Sequence, residues 1–296
     1  MIAHLPAFSF RSIMESDLMY FDWAEEELCA RFCRELNISQ MPCIRDRTQY
    51  YHWDGAAFQG PFAVSETLPL RVDEFPFAIK VKDHFRKRGH EAAFVTDAHS
   101  RVVGVVHISD YNKPASLNYQ YLAVLEFEQL LRSFLYLSGI SNAEILNWGE
   151  TKAATNDFIA NMMKRLRQEN YQERMQGLRP LQAFHLSDLL NYIHHTKMMR
   201  FDMKKIKRIK ALRDRIMHSQ DSVARSGELY DLRSLEDCID EFQLLQGWHQ
   251  QVAAELWSMT APDRRERNRI RLSRPDLFLP WMARESMNRR GGGEPE

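Results

Sequence analysis

No run in the chain comes near the ~20 consecutive apolar residues that cross a bilayer. The opening residues, MIAHLPAFSFR, lack the charged start and apolar stretch of a secretory signal. A cytoplasmic protein with no membrane partner is therefore expected. Cysteine is scarce: the 4 in 296 residues are too few and too scattered for a disulfide framework. Cys29 and Cys33 lie one helical turn apart with Cys43 nearby, but a zinc site needs a fourth ligand such as His52. Single cysteines on apolar faces are usually core, and no metal is expected. Net charge is missing as well, since 40 basic and 40 acidic residues cancel.

That cancellation is global only. Residues 1–114 carry 13 Lys/Arg and 16 Asp/Glu, and residues 219–260 carry 2 and 8. The positive charge sits between. Lys197, Arg200, Lys204, Lys205, Lys207, Arg208, Lys210, Arg213 and Arg215 face only Asp202 and Asp214, a net of +7. Met203, Ile206, Ile209, Leu212 and Ile216 recur every three or four residues through this segment, which predicts one apolar helix face. Like charges one turn apart repel, so a uniformly basic outer side points to a polyanion partner. A length of 296 residues with 44% apolar content fits about two soluble domains.

Residues 1–114 read as two rough repeats of helix, strand, strand. The first runs as a helix over 23–35, a strand over 38–44, a turn and a return strand over 49–53. The second has a helix over 77–88 that stops at Gly89, strands over 92–95 and 102–108, and Asp110 at the next helix start. The stretch HEAAFVTDAHSRVVGVVHISDYN resembles the second half of a cystathionine-β-synthase (CBS) domain, in which a strand and turn lead into Gly-x-x-Thr/Ser-x-x-Asp. Gly104 and Asp110 match, and His107 takes the Thr/Ser position. The resemblance implies a tandem, Bateman-type pair over 1–114 that binds an adenine nucleotide such as AMP or ATP. Asp110 would hold ribose and His107 would lie near phosphate. The first repeat lacks this signature, and an empty, purely structural pair is the alternative.

After Pro114 the periodicity is helical. Helices are expected over 119–137, with Leu122, Leu125, Leu130 or Leu131 and Phe134 inward, after a Thr155 cap, after a Ser187 cap, and over 232–257. Residues 142–150 are expected as a short turn of helix or a loop. Four or five helices with short links describe an all-α bundle over 117–258. Residues 261–296, with Arg264, Arg265, Arg267, Arg269, Arg271 and Arg274, read as a basic, flexible tail or an added phosphate-binding arm.

Arg213-Asp214-x-x-x-His218 resembles the Arg-polar-x3-His signature of HEPN (higher eukaryote and prokaryote nucleotide-binding) domains, with Glu128 and Arg132 on the leading helix. Many members are dimeric, metal-independent endoribonucleases. Others carry a Tyr two residues after the His, where this chain has Gln220. The residue types suit that chemistry: His moves protons near neutral pH, and Arg offers planar donors to a phosphorane-like transition state. Arg213 and His218 stand about 140° apart around a helix, so one copy cannot aim both at one point. Asp214, four residues before His218, can orient its ring. The expectation is a nucleotide-regulated endoribonuclease with Arg213, His218 and Asp214 as catalytic residues. Lys204, Lys207, Arg208 and Arg215 are its expected RNA contacts. It is expected to need no cofactor for catalysis, to form a homodimer or higher even-numbered oligomer, and by analogy to act in stress or antiviral defence. The alternative is a non-enzymatic adenine-nucleotide sensor whose helical half dimerises or binds a partner.

Overall fold

The computed structural model describes residues 7–88, 91–168, 181–218, 221–226 and 229–260. The class is α+β. Two compact units are present. The α+β unit comprises His4–Gln120 and Arg215–Gln243, and the helical unit comprises Tyr121–Asp214 and, among the described residues, 244–260. The expected boundary near 114–117 lies close to the first of these divisions. Residues 215–243, expected in the helical half, belong instead to the α+β unit.

In the α+β unit, helix α1 (Glu26–Leu36) follows a 3-10 turn at Trp23–Glu25 that Asp22 caps by accepting from the Ala24 N–H. Strands β1 (Gln40–Pro42), β2 (Gln49–Trp53) and β3 (Phe58–Ala63) form an antiparallel sheet in that order. The second sheet has β4 (Leu70–Arg71) parallel to β5 (Ala92–Thr96), which pairs antiparallel with β6 (Val102–His107). Helix α2 (Ile79–Arg88) connects β4 to β5. Phe21 makes a parallel bridge to Cys43, just past β1. A parallel partner, a helix and an antiparallel pair thus occur twice, as Phe21–α1–β1–β2 and as β4–α2–β5–β6. Strands β3 and β4 were not expected, and the expected stop at Gly89 lies outside the described residues.

The first repeat packs Phe21, Cys29, Cys33, Met41, Tyr51 and Phe58 into one cluster. Burial pushes the Cys33 thiol up to about 11, with Cys29 beside it, as befits a core cysteine. The return of residues 215–243 to this unit rests on ion pairs and aromatic packing. Lys82 pairs with Asp240 at 2.6 Å, and Arg86 pairs with Glu236 at 2.7 Å. Phe77 stacks on Phe242 at 4.5 Å between centroids, and Asn112 exchanges two hydrogen bonds with the Val223 backbone. Cys238 is fully buried, which raises its thiol to about 12.

The helical unit draws on α3 (Pro114–Leu137), α4 (Asn142–Ala153), α5 (Asp157–Gln168), α6 (Leu186–His195), α7 (Met203–Met217) and α8 (Leu232–Thr260). The unit divisions fall within α3, α7 and α8. In α3 the inward row is Val124, Phe127, Leu131, Phe134 and Leu135, whereas Leu122 and Leu125 are 40% and 36% exposed. Leu131 and Phe134 are inward as expected and Leu122 and Leu125 are not, because leucine alone does not set which side of an apolar-rich helix is covered. Helix α4 is a full three turns, held at its start by a capping box between Ser141 and Glu144. Asn156 rather than Thr155 caps α5, accepting from the N–H groups of Phe158 and Ile159. His185 rather than Ser187 stands at the start of α6, where its N–H bonds the Asp188 carboxylate at 2.8 Å. The chain breaks between α6 and α7. The tail at 261–296 lies outside the described residues.

Two glycines mark close approaches. A Cβ on Gly104 would stand 2.5 Å from Met14 Sδ and 2.8 Å from the Glu15 carbonyl oxygen, where the Glu15–Val105 bridge brings a backbone against β6. A Cβ on Gly149 in α4 would meet only the flexible ends of Met163 and Met162, at 2.5 and 3.0 Å. Gly104→Ala is expected to destabilise by about 1–3 kcal/mol through overpacking against backbone. Gly149→Ala should be near neutral, since helix propensity returns about 1 kcal/mol. Thermal unfolding of both variants against wild type checks the contrast.

Candidate functional site

Helix α7 is set by its apolar stripe. Ile206, Ile209, Leu212 and Ile216 are all buried, and Asp202 caps the first turn by accepting from the Lys204 and Lys205 N–H groups. At about 100° per residue, Lys204, Lys207 and Asp214 fall in one row on the side away from that stripe. His218, one residue past the helix end, continues the same row. Lys204, Lys205, Lys207 and Lys210 are exposed and Arg208 half-buried. Lys204, Lys207 and Arg208 have no carboxylate partner among the described residues. Lys210 places its Nζ 5.2 Å from the Phe158 ring centroid, over α5. Lys204 and Lys207, exposed on one side of the helix, are suited to a phosphodiester backbone.

The expected catalytic residues are only partly brought together. In the helical unit, Arg213 Nη1 bonds Asp214 Oδ1 at 3.1 Å, so Asp214 answers the arginine and not His218. Neighbours one residue apart meet here because the guanidinium reaches round the helix. His218 is exposed and has no hydrogen-bond or ion-pair partner among the described residues. Gln220 lies outside them. Arg215, expected on the RNA face, is engaged with a carboxylate. In the α+β unit its Nη2 lies 2.6 Å from Oε2 of Glu241, a residue only 7% exposed, and it forms a buried ion pair.

Charges also converge around the start of α6, within electrostatic reach of Arg213. Arg132 on α3 bonds Glu128 and donates to the carbonyls of Leu181 (3.1 Å) and Phe184 (3.0 Å). Arg165 on α5 pairs with the buried Asp188 and lies 3.0 Å from His185 Nε2. Burial, then the Arg165 charge, lowers the His185 pKa, with Asp188, Arg213 and Glu128 also acting on it. Burial raises that of Asp188, the Arg165 charge opposing it. This network ties the start of α6 to α3 and α5. Glu128 and Arg132, on the leading helix, are part of it.

Asp110 and His107 stand together in the α+β unit. Asp110 is 8% exposed, and one of its oxygens accepts the His107 N–H at 2.7 Å while the other takes Lys113 Nζ at 3.0 Å. His107 Nδ1 accepts from the Ser109 N–H, and Nε2 lies 3.1 Å from Glu91. Together they form a capping box for the 3-10 turn Ile108–Asn112. The carboxylate expected on ribose is thus committed to a local cap. Gly104 answers to Met14 and Glu15, as described above.

Sequence reasoning missed an aromatic patch in the helical unit formed by Trp148, Tyr192 and His195, from helices α4 and α6. No spacing rule reveals it, since its parts lie over forty positions apart. A shallow hollow of about 380 Å³ is lined by Ala153, Ala160, Met163, Lys164 and Arg167. No group of three or more His, Cys, Asp or Glu is arranged to hold a metal ion among the described residues. No described helix is long and apolar enough to cross a membrane.

Two outcomes follow from these partners. Arg215→Ala leaves Glu241 buried and unpaired and should lose about 3 kcal/mol of stability, whereas Lys207→Ala should stay within about 0.5 kcal/mol; denaturant unfolding separates them. The folded pKa of His185 lies below its unfolded value near 6.5. As pH falls through 6.5 the unfolded chain gains a proton that the folded chain refuses until lower pH, so stability drops across that window. His185→Asn, which keeps a capping oxygen, should show a shallower loss of thermal stability between pH 7 and pH 5.5 than wild type.

No family model, curated protein or solved structure matches the chain.

Proposed function

We propose that the protein is a metal-independent endoribonuclease of the HEPN type that acts as a homodimer. The observation that carries this reading is His218, exposed and without a described partner, continuing the solvent row of a helix on which Lys204 and Lys207 form no described ion pair. An imidazole left free at that point is available to move protons, and the lysines before it supply the charge that RNA binding needs.

The chemistry is transesterification within the RNA. The 2′-oxygen attacks the adjacent phosphorus, its proton passes to one imidazole, and the 5′-oxygen leaves with a proton from a second. The products are a 2′,3′-cyclic phosphate and a 5′-hydroxyl. Arg213 keeps N–H groups beyond the one given to Asp214, and these offset the extra negative charge on the phosphorane. Because Arg213 and His218 diverge by about 140° on one helix, a two-fold partner supplies the second His and Arg. Asp214 serves as the partner that orients Arg213.

The α+β unit, in this reading, is a CBS-like regulatory pair that responds to an adenine nucleotide, supported by the twice-occurring arrangement of parallel partner, helix and antiparallel pair. Asp110 and His107 are not offered as its ligand contacts, since both are engaged in the cap. The competing reading is a sensor that cuts nothing and whose helical unit only associates.

Purified wild type and His218→Ala are incubated with labelled mixed-sequence RNA in EDTA, with and without AMP or ATP. Cleavage by wild type to cyclic-phosphate ends, reduced at least a hundredfold in His218→Ala at unchanged dimer content, is expected, in line with the usual yield of acid–base catalysis. Absence of cleavage by a confirmed dimer under every condition would favour the sensor.

A further inference from the structure

The aromatic patch of the helical unit has the composition of a base-stacking site. Trp148 on α4 is half-buried, and His195, the last residue of α6, is exposed. Their ring centroids lie 5.9 Å apart with planes tilted by 44°. Behind them Tyr192, 6% exposed, meets Trp148 edge-to-face at 5.2 Å and fixes the indole. His194 packs against His195 at 5.3 Å. A pair of backed rings reaching solvent is unusual for a helix surface that has only itself to satisfy.

Cations flank the rings. Lys152 stands one turn after Trp148 on α4, and Lys197 follows His195 by two residues; both are exposed. Lys197 sits in the left-handed region at φ 58°, in the short link that leads to the first turn of α7. Neither lysine has a carboxylate partner among the described residues. Burial, with His194 and Lys152 adding to it, lowers the pKa of His195. Its ring is therefore neutral near pH 7 and presents a π-face beside positive charge that comes from other side chains.

We propose that Trp148 and His195 form a platform that stacks an unpaired nucleobase of single-stranded RNA, with Lys152 and Lys197 on the adjoining phosphates. Base–aromatic stacking is tolerant of sequence and favours unpaired strands, because a duplex keeps its bases stacked on each other. This rests on the ribonuclease reading and deepens it: the substrate is single-stranded, and the strand reaches beyond the α7 cations to α4 and α6.

The test uses full-length protein and a labelled single strand of 2′-O-methyl RNA, which cannot be cut through its 2′-oxygen, with affinity read by fluorescence anisotropy. His195→Ala and Trp148→Ala should each weaken binding about tenfold, and Trp148→Phe should retain most of it. A strand with abasic sugars should bind wild type more weakly and should not distinguish wild type from His195→Ala. His195 is exposed, so that variant is informative even where Trp148→Ala folds poorly. The charge reversal Lys204→Glu/Lys207→Glu serves as the reference for the α7 face. If it weakens binding while His195→Ala matches wild type on the base-bearing strand, the platform is overturned and the ribonuclease reading stands. If wild type binds no strand and the charge reversal changes nothing, the reading beneath it is overturned as well.

Discussion

The apolar stripe of α7 is the constraint on which the candidate site depends. Once Ile206, Ile209, Leu212 and Ile216 are buried, the helix has no freedom to rotate, and the outward row follows. Lys204, Lys207 and His218 share that row for this reason alone, and Arg215 falls on the flank, where Glu241 accepts it. A rotation of one residue, about 100°, would place cations in the core at a cost no surface gain offsets. The positive face is therefore a consequence of how the helix packs, which makes it rigid as well as charged.

The same helix was the most legible part of the chain, and the reason is physical. Its apolar period is unbroken over fifteen residues, so core and solvent sides separate without tertiary information. The pair β5–β6 was legible too, since Ala93–Val95 and Val102–Val106 are short apolar runs joined by Asp97, whose carboxylate accepts from the His99 and Arg101 N–H groups. Strand β3 was hidden by Gly60 and Pro61, which read as a turn. The phase of α3 was hidden because apolar residues lie on most of its circumference. The polar network of Arg132, Arg165, His185 and Asp188 was hidden because it joins three helices, and helix patterns carry no information about which polar residues meet across a core.

The residues that carried the nucleotide-binding resemblance illustrate a different limit. A carboxylate that accepts N–H groups at a helix start and one that accepts ribose hydroxyls use the same lone pairs, so a motif does not separate them. In this chain Asp110 meets the His107 N–H and Lys113, and its capacity is largely taken up. Gly104 likewise satisfies a backbone approach that needs no ligand. What survives from that stretch is topological: the chain builds the same small arrangement twice, and in each a helix separates two parallel segments before an antiparallel return.

His218 and Asp110 therefore stand at opposite ends of one criterion. Both were singled out by motif, both by residue types able to do chemistry, and only their partners tell them apart. Asp110 is buried and bonded to two groups, so moving it to a ligand would break a cap. His218 is exposed with no described partner, so engaging a phosphodiester would break nothing. A group whose bonds are already made has little left to give a substrate, and by that measure the basic helix, with Trp148 and His195 in the same helical unit as its lysines, is where a ligand gains most. Stacking and phosphate contacts there would add to interactions the fold leaves open, instead of competing with interactions it needs.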